Sequence, residues 1–313
     1  MIQYNPKTWF SLIFDVYSRY VIKLLFPLLF FVGLFSLAIC FIVLTVFDYH
    51  FSGTIAFHSI LGVILGLFLV LRTNTAYDRW WEGRKLWGQL VNDSRQLAIK
   101  IHSFLPKEAV EHREFFRRMI PNEAFSMKEH LRDSILVGEM DLIDEDIKQR
   151  VIKSKHRPNM INKLLYERVM KCHGEGLIND QQLFILDKEI KGFTDIIGAC
   201  ERIKSTPIPY SYSMFIKKFL FIYSLTLPVS FMWELHYWTV PVVMLAFYFL
   251  VSVELIAEEI EDPFGNDIND LPLNDLALKI KRNVSEILND NVWPKKCSMY
   301  FSTIGEQEIK RSF

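Results

Sequence analysis

Cysteine is scarce: Cys40, Cys172, Cys200 and Cys297 stand far apart among 313 residues. With no CxxC spacing, neither a disulfide framework nor a zinc knuckle is indicated. Neither sign of charge is in excess, because 36 basic residues face 36 acidic ones. The chain therefore has no global basic field or arm to hold nucleic acid. Its eight histidines include no HExxH, and it lacks a Walker loop, a GxSxG elbow and a dinucleotide fingerprint. Nothing asks for an enzyme, and no motif requires a cofactor. What is plentiful is apolar surface. Half of the residues are hydrophobic and mean hydropathy is above zero, which suits a membrane protein carrying a water-soluble part.

Leu24 to Phe47 runs for 24 residues without a charge, and at about 1.5 Å per residue it would span about 36 Å, enough for a bilayer core. Only Asp48, Tyr49 and His50 separate it from a second stretch, Phe51 to Leu71, so these two spans are expected to form an antiparallel hairpin. A third run, Phe219 to Trp233, is short unless Lys217 and Lys218 snorkel outward, and a fourth extends from Leu235 to Val253. Lysine and arginine cluster before the first span, after the second and before the third, while the connections at Asp48 and Glu234 carry none. The positive-inside rule places both termini in the cytoplasm.

Between Arg72 and Pro207 the apolar pattern is helical, with little strand signal. Trp80, Trp87, Leu90, Leu97, Ile101 and Phe104 recur at helical steps as far as Pro106. Further amphipathic helices fit Lys107 to Ile120, Leu142 to Lys153 and Asn159 to Cys172. The last of the region starts at Asn179, an N-cap with Gln182 three places on, and continues to Lys204 before Pro207. The expectation is an all-α chain in four parts. Residues 1–72 hold the first two spans, 73–210 a cytosolic helical region, 211–255 the third and fourth spans, and 256–313 an acidic turn with a C-terminal cytosolic helix and tail.

Three stretches carry the functional expectations. In SILGVILGLFLVLR, Ile60, Ile64 and Phe68 fall within about 80° of one another on a helix, with Gly62 and Gly66 opposite at the GxxxG spacing that admits a neighbouring helix. Copies of such a helix around an axis would present a hydrophobic constriction; the residues by themselves leave plain lipid or helix contact open. RTNTAYDRWWEGRKLWG sets Arg72, Arg79, Trp80, Trp81 and Trp87 just below the inner face, a collar of side chains with one wet end and one greasy one. ELIAEEIEDPFGNDINDLPLND holds eight acidic residues and no basic one. There Asp267 and Asp270 offer oxygen ligands to a divalent cation, with a solvated acidic face as the alternative.

RTNTAYDRWWEGRKLWG, STPIPYSYSMF and IEDPFGNDINDLPL, in this order around four spans, resemble the bestrophin family and its compact bacterial branch in particular, from Trp9 to about Trp293. The resemblance implies a homopentameric ion channel in the cell inner membrane with one axial pore. It implies a neck lined by Ile60, Ile64 and Phe68, matching two isoleucines and a phenylalanine at four-residue steps, and a lower cytosolic aperture at Ile178 in GEGLIND. In animal members the turn after the last span clasps calcium. Here Asp267 and Asp270 match two of its carboxylates, while Asn266, Ile268 and Asn269 replace acids. The bacterial branch implies sodium and potassium as permeant ions, with chloride, or a membrane scaffold without a pore, as the alternatives.

Overall fold

The structure is a computed structural model, described over residues 16–46, 54–134, 137–142 and 145–289. The connection at Asp48 to His50, Cys297 and the segment after Asn289 lie outside the described residues. Among those residues every regular element is helical. Nine α-helices follow in chain order: α1 (Val16–Val46), α2 (Thr54–Phe104), α3 (Val110–Leu131), α4 (Glu145–Lys153), α5 (Arg157–Gly174), α6 (Asp180–Ser205), α7 (Tyr210–Leu235), α8 (Thr239–Glu261) and α9 (Leu273–Leu288). The chain divides into two compact units, one from residues 1–86 and 198–272 and the other from 87–197 and 273–313.

By length and composition three segments can cross a membrane: Tyr20–Thr45, Ile55–Phe104 and Tyr210–Glu261. The last is two helices, α7 and α8, joined by the 3-10 turn His236–Trp238. The short third run of the sequence is thus the apolar middle of a 26-residue helix, whose first turns extend the span on the side of Lys217 and Lys218. The reversal is made by His236 at φ 48°, a left-handed conformation that costs a non-glycine residue energy and closes the turn in few residues.

The first unit has one apolar core built from all four of these helices. Val32 of α1, Leu65 and Leu69 of α2, Leu220 and Leu227 of α7 and Phe247 of α8 are buried in it. Gly33 makes close packing possible, since a Cβ there would stand 2.7 Å from Met244 Sδ on α8. Proline at 27 and 228 is tolerated inside α1 and α7, as neighbouring helices re-satisfy freed backbone groups in a membrane.

In the second unit α3 is the central element. It is buried almost throughout from His112 to Leu131, packed by α5 and by the amphipathic α9. Glu123 lies in this helix fully buried, and neither carboxylate oxygen meets a hydrogen-bond partner among the described residues. Burial pushes its carboxyl well above the ordinary carboxylate range. Its neutral form supports the fold fully below the unfolded value of about 4.3, and that support is lost as pH rises toward the folded value. Replacing Glu123 by methionine, of similar volume, is expected to stabilise the protein by about 1–3 kcal/mol at neutral pH, the cost of one buried unsatisfied group, and by more at alkaline pH. Thermal unfolding of both proteins in detergent at pH 6 and pH 9 measures this. A variant less stable at both values would mean that Glu123 has a partner.

Candidate functional site

The membrane half of α2 has two faces. His58, Leu65, Leu69, Arg72, Ala76 and Gly83 are buried at steps of three, four and seven, which is the seam of a helix laid along its neighbours. At about 100° per residue the opposite line passes through Val63, Leu67 and Leu71, and these side chains are exposed by 74%, 60% and 48%. Below Leu71 the same line continues into exposed Asn74 and Asp78. Ile60 lies close to it at 61% exposure and Ile64 on its flank at 40%. Phe68 is turned further round and packs on the apolar core, its ring 6.4 Å from that of Tyr212 and 5.5 Å from that of Phe215 on α7. Along the arc these three residues share, exposure falls from open Ile60 to half-buried Phe68, while Val63, Leu67 and Leu71 are more exposed than Ile64. Gly62 does admit a close neighbour, with Tyr223 Oη 2.7 Å from where its Cβ would be, while nothing lies within 4 Å of Gly66.

The three motif stretches meet in one cluster of the first unit. Arg72, 1% exposed, pairs through Nη2 with Glu261 Oε2 at 2.7 Å and sets Nε 3.7 Å from Glu254 Oε1. Glu261 Oε1 accepts the backbone N–H of Ile208 at 2.7 Å. Arg79 donates from Nε to the Glu261 carbonyl at 3.0 Å, from Nη2 to the Ile203 carbonyl at 2.5 Å and from Nη1 to the Thr206 carbonyl. Trp80 donates from Nε1 to the Asn269 carbonyl at 2.9 Å and stacks between Tyr77 and Trp81. Gly83 leaves room for Phe264, whose ring carbons would stand 3.1 Å from a Cβ. Buried Arg72 and half-buried Arg79 and Trp80 therefore fasten α2 to the 203–208 segment, to α8 and to the acidic turn. Trp81 stays 47% exposed, and Trp87 is fully buried in the second unit.

In the acidic turn the two expected ligands play unequal parts. The Asp270 carboxylate is buried and its Oδ2 accepts the backbone N–H of Asp267 at 2.6 Å, so it shapes the turn in the way an aspartate caps a helix. Gly265 belongs there because a Cβ would lie 2.7 Å from the same oxygen. The Asp267 side chain faces solvent. Among the described residues no third histidine, cysteine or acidic side chain converges on the pair, so these side chains alone do not make the oxygen cage a hard cation needs.

Ile178 is 4% exposed in the single subunit. Its turn is closed at both ends. Leu177 N–H donates to the Cys172 carbonyl at 3.0 Å and Gly176 N–H to the His173 carbonyl at 2.9 Å, a Schellman closure of α5 with Gly176 at φ 72°. Asn179 Oδ1 then accepts from Gln182 N at 2.8 Å while Gln182 Oε1 accepts from Asn179 N at 2.9 Å, the reciprocal cap expected for α6. Asn179→Ala should cost about 1 kcal/mol, read as a lowered melting temperature; an unchanged value would mean the cap contributes nothing.

The bacterial/fungal bestrophin family matches residues 1–286. The chain belongs to the bestrophin family. The curated proteins similar to this bestrophin include the voltage-dependent anion channel-forming protein alr2987 of Nostoc sp., 36% identical over 242 residues that cover 74% of this chain and 77% of the relative. YneE of Escherichia coli K12, also named a voltage-dependent anion channel-forming protein, is 33% identical over 264 residues, 84% of this chain and 86% of its own. Among solved structures, a bacterial bestrophin homologue from Klebsiella pneumoniae superposes with a TM-score of 0.78 at 28% identity, covering 84% of this chain and 98% of that one. Bestrophins are ion channels and not enzymes, so the residues of interest act by position and hydration, without a reaction.

Proposed function

We propose that this bestrophin is a passive ion channel in which five copies surround one axial pore, each giving it the exposed line of α2. Four spans per subunit, α1, the first part of α2, α7 and α8, hold it in the bacterial inner membrane with both termini in the cytoplasm, and α3 to α6 with α9 form the cytosolic region. The observation that carries the reading is the apolar line Val63, Leu67 and Leu71. It lies opposite a complete buried seam, which supports giving it to the lumen. Stacked rings of these side chains make a neck that excludes water when narrow. Ile60 and Ile64 border that neck, while Phe68 supports it from within the subunit.

An uncharged neck does not choose a sign of charge by itself. The bacterial resemblance points to sodium and potassium, whereas the curated relatives are named for anions, and we follow the relatives: chloride and similar anions are the proposed permeant ions. Purified protein reconstituted into liposomes with separate chloride and sodium gradients tests this, together with a native mass of the assembly. Chloride flux and a mass of five copies are expected. Sodium flux in excess of chloride would return selectivity to cations, and ion-tight vesicles would overturn the channel reading in favour of a membrane scaffold.

A further inference from the structure

Two histidines bracket the turn between α5 and α6, and the pore reading uses neither. His112 on α3 is 5% exposed, with Nδ1 3.2 Å from Cys172 Sγ and Nε2 2.9 Å from Glu175 Oε2. A carboxylate only accepts, so Nε2 carries the ring proton and Nδ1 accepts from the thiol. At the other end, His173 Nε2 donates to Asp180 Oδ1 at 2.8 Å, tying the last turn of α5 to the first turn of α6. Both contacts thus hold residues 175–180, one from the central helix α3 and one across the turn.

The charges around them are paired. Beside His112, Glu111 on the same helix meets Arg168 Nη1 of α5 at 2.7 Å and Lys171 at 3.9 Å, and the Arg168 guanidinium holds the Glu111 carboxyl below its ordinary value. Lys171 also lies 3.8 Å from Glu175. His173 stands at the C-terminal end of α5, where a cation is favoured, and Asp180 at the N-terminal end of α6, where an anion is. A second proton, taken up on Nδ1, leaves each Nε2–H on the carboxylate it already meets and turns that neutral hydrogen bond into a charge-assisted one. At His112 the new Nδ1–H points at sulfur, so the thiol turns from donor to acceptor while keeping its own proton.

We propose that the α5–α6 turn is a proton-responsive clasp: protonation of His112 and His173 fastens residues 175–180 to α3 and to the start of α6, and deprotonation loosens them. The clasp is independent of the permeant ion and of the neck, so it stands or falls apart from the channel reading.

Amide hydrogen exchange of the full-length protein in detergent, expressed as protection factors to remove the intrinsic pH dependence, tests it. Protection of Gly176 and Leu177 should rise about two- to fivefold between pH 8 and pH 5.5, the range an ion pair of this kind supplies, with no such rise in α9. His112→Gln and His173→Gln should each remove part of the response, and the double variant all of it. If buried His112→Gln does not fold, His173→Gln carries the test from its more open position. Equal protection of the turn at both pH values in the unmodified protein, or an undiminished response in His173→Gln, overturns the clasp.

Discussion

Arg72→Ala is expected to lower the stability of the first unit by about 3–5 kcal/mol, the cost of removing one partner from a buried ion pair. The reason lies in what is left behind. Glu261 and Glu254 remain at the inner end of the membrane helices with no guanidinium to neutralise them, Glu254 being 4% exposed and Glu261 still bound to the Ile208 amide. Charge without a counter-charge is costly there, because water reaches neither side readily. Thermal unfolding in detergent should show a drop on the order of 10 °C, and a variant within a degree of the parent would refute the fastener. The double variant Arg72→Met with Glu254→Gln should regain part of the loss, since replacing an ion pair is milder than halving it.

Leu67→Ala should raise ion flux through reconstituted channels several-fold, with Val63→Ala and Leu71→Ala in the same direction. Removing three carbons from every copy widens the ring and lowers the tendency of the constriction to dry out. Phe68→Ala separates this reading from the register suggested by sequence spacing. It should destabilise the protein by about 3–5 kcal/mol as a core truncation and leave unit flux close to the parental value. Efflux from vesicles, normalised to folded protein, checks both. Flux that responds to Phe68→Ala and ignores Leu67→Ala would restore Ile60, Ile64 and Phe68 as the lining.

That register is a good measure of what the sequence could reveal. The spans were legible, because charge-free runs of more than twenty residues have few other uses, and so was the cap at Asn179, because Asn and Gln three apart satisfy each other's amides locally. The packing face of α2 was not. In a bilayer both sides of a helix are apolar, so Leu65 in the core and Leu67 outside look alike, and only the rings of Tyr212 and Phe215 decide that Phe68 turns inward. The return of residues 198–272 to the unit that begins the chain depends on long-range contacts with no local signal. Ile178 as an aperture rests on resemblance alone, because one isoleucine in a turn carries no local signal of a lumen. Glu123 reads as a surface residue in sequence, and its burial follows from α3 being surrounded. The motif stretches marked a real cluster, whose residues fasten helices together.

The line of leucine and valine on α2 also bears on how such an assembly comes to exist. A lone subunit can rest that line against acyl chains at no cost, whereas closing a ring around water withdraws it from lipid and wets it, unfavourable by roughly 25 cal/mol for each Å² so transferred. If five copies close as proposed, association must therefore be driven by contacts elsewhere on the subunit. In the ring proposed above, such a waist favours the dry state wherever it is narrow.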